Sequence, residues 1–138
     1  MIDIESDVFD IVTKALKTQY PNLKVSGEYE SVADTLPAVT LSQEDNRIVE
    51  DMRTTHIENA VSVMFQVDVY SNKVAVRKTE AKAIMAVVDD SFSELGFTRT
   101  FLEPTPNFND SRIFRLTARY EAIVGDGAGT GTYLIYHN

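Results

Sequence analysis

The chain has 138 residues, no cysteine, and 13 Lys+Arg against 21 Asp+Glu for a net charge of −8, which suits one well-cored domain and is too short for two. The acidic balance argues against a surface that binds nucleic acid or anionic lipid by neutralising phosphates. Without cysteine, disulfide scaffolds, thiolate metal sites and thiol nucleophiles are all excluded, which fits a product assembled in a reducing compartment. No apolar run approaches the roughly 20 residues of a membrane span, and the acidic opening MIDIESDVFD is the reverse of the basic, then apolar, start of a signal peptide.

In chain order, Ile4, Val8, Ile11, Val12, Ala15 and Leu16 fall on one helical stripe and predict a helix over 4–19. Asp3, Glu5 and Asp7 suit the positive end of its dipole, Lys14 and Lys17 the negative end, and Pro21 stops it. Leu23–Tyr29 and Pro37–Leu41 follow as two short strand-forming stretches around the polar turn 30–35. SQEDNRIVEDMRTTHIE (42–58) is dense in charge of both signs and is expected to form a projecting loop or hairpin. The clearest strand is 58–71, where Val61, Val63, Phe65, Val67 and Val69 alternate with more polar residues.

A second helix is predicted over 74–95 from the stripe Ala81, Ile84, Met85, Val88, Phe92 and Leu95, with Ser71 or Asn72 as its cap. Gly96 supplies the left-handed residue that ends it, with Phe97 packing back on Phe92. Strands are then expected over 97–102 and 112–124, separated by the loop PTPNFND, with Phe114, Leu116, Ala118, Tyr120, Ala122 and Val124 on one face. GDGAGTG (125–131) carries four of the six glycines and reads as a flexible linker to the short apolar stretch 132–136. Alternation within the strands predicts a mainly antiparallel sheet with both helices on one face, a single α+β domain over 1–138.

Catalytic chemistry finds little footing in this pattern. His56 and His137 are the only histidines and lack the spacing of a metal site, and neither sits in a context that would activate a nucleophile. Asp89 and Asp90 are adjacent on a helix and point about 100° apart, so they are expected to form a solvated face and not an acid/base pair. The glycine stretch lacks the Lys-Ser/Thr of a phosphate loop. Asp68 is expected to make local hydrogen bonds near its strand end, and Arg112, Arg115 and Arg119 to pair across strands or subunits in preference to binding nucleic acid. No catalytic residue, metal or cofactor is assigned, and the chain is not read as an enzyme.

Two segments fit poorly in a self-contained monomer. The charged stretch 42–57 has little core to reward its ordering, and the apolar YLIY of 133–136 is unsuited to solvent. Arg47, Glu50, Asp51, Met52 and Arg53, together with Tyr133, Leu134, Ile135 and Tyr136, are therefore the candidate residues of a subunit or partner interface.

The segment Val61–Val124 resembles the tail terminator (tail completion) proteins of long-tailed bacteriophages. The likeness rests on VMFQVDVYSN (63–72), an alanine-rich helix ending in LGF (95–97), a proline-containing loop closing on Asp110, and RLTARYEAIV (115–124). The length, the opening helix followed by a proline, and the polar stretch before the long strand are also similar. The resemblance implies a structural virion protein, assembled in the bacterial host cytoplasm, that forms a homo-oligomeric, hexameric ring at the head-proximal end of the tail. Such a ring ends polymerisation of the tail tube protein, presents an attachment surface for the head–tail connector protein, and lets DNA pass through an acidic lumen without binding it. A neck (head–tail connector) subunit shares this size and ring habit, and is distinguished by binding portal-capped heads instead of isolated tubes. A ligand-binding regulatory domain, with a small molecule on the open sheet face, predicts a thermal shift and no ring.

Overall fold

The computed structural model describes residues 2–27, 36–49, 60–106, 112–126 and 133–136. The elements run α1 (Glu5–Gln19), β1 (Lys24–Ser26), β2 (Ala38–Ile48), β3 (Ala60–Ser71), α2 (Arg77–Glu94), β4 (Thr98–Pro104), β5 (Phe114–Asp126) and β6 (Tyr133–Tyr136). They build an α+β sandwich: a six-stranded sheet in the order β1-β2-β3-β5-β4, with β6 also on β5 and both helices on one face. Among the described strands only the β1–β2 pair is parallel.

The period-two pattern of β3 and β5 sets the core. Their register aligns Val61 with Val124, Phe65 with Tyr120, Val67 with Ala118 and Val69 with Leu116, so the apolar rows of both strands meet beneath the helices. From α1, Val8, Val12 and Leu16 descend on this face; from α2, Ala81, Ile84, Met85, Val88 and Phe92 do so. Ile11, placed on the core stripe by its spacing, is 46% exposed and lies at the margin of that face.

Phe65, Phe92, Phe97 and Tyr120 form the aromatic centre. Phe92 stacks on Tyr120 with centroids 4.2 Å apart and meets Phe97 edge-on at 5.2 Å. The end of α2 follows its expected form, since Gly96 at φ 91° lets its own N–H reach Ser93 O and the Phe97 N–H reach Phe92 O. The start of α2 does not. The helix begins at Arg77 with Val76 as N-cap and no side-chain cap, because Ser71 remains in β3 and donates to Glu80 instead.

The stretch 42–58 also departs from expectation in its first half. Residues 42–48 are not loop but the outer half of β2, paired with β3 from Ser42–Gln66 to Ile48–Val61. A bulge between Gln43 and Asp45 shifts the parity, so Asn46 and Ile48, in place of Asp45 and Arg47, fall on the helix side. The N-terminal turn of α1 seals it: Glu5 accepts the Gln43 N–H at 2.9 Å and Ile2 O accepts from Asn46 Nδ2 at 3.0 Å. Gly125 and Asp126, read as linker, continue β5. The remaining linker residues 127–132 lie outside the described residues.

Candidate functional site

Of the candidate interface residues, Arg47 lies on β2, exposed and 2.7 Å from Asp45. Tyr133–Tyr136 form β6, a strand antiparallel to the end of β5, so this apolar segment finds its pairing partner within its own chain. Glu50, Asp51, Met52 and Arg53 lie outside the described residues, as do His56 and His137.

Register brings the described candidates to one end of the sheet. Arg47 aligns with Ser62, Ser62 with Ile123 and Ile123 with Tyr136, so a single cross-sheet row joins the two segments. Three strand spacings separate them, about 14 Å. Because β4 pairs with β5 over Leu116–Glu121 and β6 over Ile123–Asp126, the two short strands share one edge of β5 in succession.

That end is acidic. The first turn of α1, with Glu5 and Asp7 and with Asp3 just before it, is tied to the outer half of β2 through Gln43. The helices run antiparallel, so α2 brings Asp90 and Glu94 toward the same end, where Glu44, Asp45 and Glu121 also sit. The opposite end gathers Lys17 at the close of α1, Lys24 on β1, and Lys73, Arg77 and Lys78 around the start of α2. Strand direction and helix polarity thus concentrate acids at one end and bases at the other, with Glu80 bonded to Ser71 among the bases, and Arg47 and Arg99 paired with Asp45 and Asp89 among the acids.

The helix-free face carries a polar network that sequence reasoning caught only in outline. Asp68, 5% exposed at its side chain, accepts from Arg115 Nε at 2.9 Å, from Thr117 Oγ1, and from Gln66 Nε2 at 3.1 Å. Arg119 donates to Gln66 Oε1 at 3.2 Å and lies 4.9 Å from the Phe101 ring centroid. The cross-strand pairing expected of the arginines is therefore present at Arg115, and Asp68 makes both the local bond expected of it, to Gln66 on its own strand, and bonds to Arg115 and Thr117 on β5. The signal was the shared parity of Gln66 and Asp68 on β3 with Arg115, Thr117 and Arg119 on β5.

Asp89 is likewise not a simple solvated carboxylate. Its Oδ1 accepts from Tyr120 Oη at 3.0 Å and from Arg99 Nη1 at 3.1 Å. Burial pushes the Tyr120 hydroxyl well above the usual tyrosine range, and the adjacent Asp89 carboxylate pushes it the same way. The folded chain thus holds a proton that the unfolded chain releases above pH about 10. Stability is expected to be unaffected by this group below that pH and to fall as pH rises beyond it. Alkaline denaturation followed by tyrosinate absorbance should show Tyr120 ionising only with unfolding, and Tyr120→Phe should flatten that part of the stability profile.

Among the described residues no cluster of three or more His, Asp or Glu side chains is arranged to hold a metal ion. No described helix is long and apolar enough to cross a membrane. No protein-family model matches the chain, and no curated protein matches it.

Proposed function

We propose that the chain is a structural subunit of a phage tail, assembling as a ring that ends the tail tube at its head-proximal end and offers the head an attachment surface. The observation that carries this reading is the resemblance over Val61–Val124, whose described motifs fall on consecutive elements of the fold. VMFQVDVYSN is most of β3, LGF closes α2, and RLTARYEAIV is the greater part of β5. These elements form the centre of the sheet and its helical cover, so the likeness covers the framework of the domain and not a peripheral loop.

In this reading the end of the sheet that carries Arg47 and β6 meets a neighbouring subunit, the tube or the connector. The subunits join head to tail by unlike surfaces whose rotation closes a ring. The test is light scattering across a concentration series with negative-stain imaging, alone and with isolated tail tubes. Closed rings that cap tube ends are the expected result. A chain that stays monomeric with and without tubes overturns the reading.

A further inference from the structure

We propose that the basic end of one copy, centred on the turn Lys73–Val76 and the start of α2, docks on the acidic end of a second copy formed by the start of α1 and the end of α2. The inference rests on the ring reading and names the two surfaces that meet in it.

Three independent features mark the basic end. The first is charge: Lys73, Arg77 and Lys78 are exposed together in a chain of net charge −8. The second is an apolar centre, for Val74 is 90% exposed and Val76 41%, the former being the most exposed of the described large hydrophobic residues. A side chain so placed gains nothing from its own fold and supplies the dry middle of an interface. The third is backbone strain. Ala75 holds φ 70°, and the turn closes through the Val76 N–H on Lys73 O at 3.2 Å. An alanine rarely adopts this left-handed conformation, and the turn that contains it leaves Val74 outward. Beside it opens a groove of about 830 Å3 lined by Asn72, Val74, Arg77, Lys78, Arg112 and Phe114.

The acidic end is complementary. Asp3 precedes α1 and Glu5 and Asp7 lie in its first turn, Asp90 and Glu94 close α2, and Ile48, 43% exposed, is an apolar residue at the same end of the sheet. The two ends lie at opposite ends of the strand axis, so one copy cannot satisfy both with itself, and a head-to-tail contact is the arrangement that pairs them. Such charges contribute little singly at an exposed surface but orient encounter and reject the like-charged end.

Two charge-reversed chains test this. Arg77→Glu with Lys78→Glu puts two carboxylates at the centre of the basic docking surface; Asp7→Lys with Glu94→Lys puts two lysines into the acidic one. The first places carboxylates at a helix N-terminus, where they are favoured, and circular-dichroism melting verifies that each variant folds. Each alone is expected to self-associate about tenfold or more less tightly than the unaltered chain. An equimolar mixture should recover association, because the new carboxylates of one variant then face the new lysines of the other while the remaining contacts join unaltered surfaces, and high salt should weaken it. Variants that assemble as the unaltered chain does, while still capping tubes, overturn this contact and leave the ring reading standing. A mixture that recovers nothing also overturns it. Unchanged assembly with loss of duplex-DNA binding in the Arg77→Glu, Lys78→Glu chain assigns the basic end to nucleic acid and overturns it too.

Discussion

Replacing Phe92 with alanine is expected to cost the fold about 3–5 kcal/mol, the range for emptying a buried aromatic site. The residue is fully buried, stacks on Tyr120, and touches Phe65 and Phe97 at centroid distances of 5.8 and 5.2 Å. Removing the ring withdraws a partner from three aromatic neighbours at once, and each of those rings is held by a different element, β3, β5 or the α2–β4 connection. These elements cannot collapse into the space without shifting the β3–β5 register, so most of the cavity persists. For a chain of this length the loss corresponds to roughly 10–20 °C in Tm. Phe92→Leu keeps much of the volume and should lose less than half as much. Calorimetry decides: an alanine variant within about 1 kcal/mol of the unaltered protein would show that the aromatic centre can repack, contrary to this account.

The same cluster shows where the sequence is easy to read and where it is not. Phe92, Gly96 and Phe97 announce a helix end because the left-handed glycine and the apolar contact are both local. The β3 and β5 alternation is equally plain, since period two over ten or more residues admits one pairing that buries both apolar rows. β2 is harder. Its outer half contains Gln43, Glu44, Asp45, Asn46 and Arg47, and the bulge at Glu44 breaks the alternation just where polarity already suggests a loop. What makes it a strand is remote: β3 pairs with it on one side, and the α1 carboxylate of Glu5 takes up the N–H of Gln43. β6 is short and depends wholly on β5 for its pairing. The start of α2 fails for a related reason, because Ser71 has the chemistry of a cap but is held in β3 by its ladder.

The candidate surfaces follow the same division. Arg47 and Tyr136 are far apart in the chain and join one cross-sheet row only through Ser62 and Ile123. Charge segregation is legible within each helix, where acids precede bases in α1 and, Glu80 in the first turn apart, bases precede acids in α2. That these two patterns add up to one acidic and one basic end requires the antiparallel placement of the helices, which no local pattern states. Ala75 gives no warning in the sequence at all, since a left-handed turn position ordinarily selects glycine or asparagine.

Asp68→Ala is expected to destabilise the domain by about 3–5 kcal/mol, the cost of stripping one partner from a largely buried ion pair. The carboxylate receives Arg115, Thr117 and Gln66 together, and Arg115 is only 16% exposed at its side chain. Without Asp68 a largely buried guanidinium loses the carboxylate that its Nε bonds, and two neutral donors lose an acceptor. The pairing itself contributes less than this loss, because both charges gave up hydration to form it. Hence Arg115→Met together with Asp68→Leu should cost distinctly less than the sum of the single replacements, with a coupling of about 1–3 kcal/mol in a double-mutant cycle. Arg119 supplies the contrast: exposed, bonded to Gln66 and resting on Phe101, it should lose less than about 1 kcal/mol as Arg119→Ala. Urea denaturation of the unaltered chain and of these variants measures all of these terms. Strict additivity between positions 68 and 115 would mean that the network is a set of independent surface bonds, and that the helix-free face is ordered by something other than its buried carboxylate.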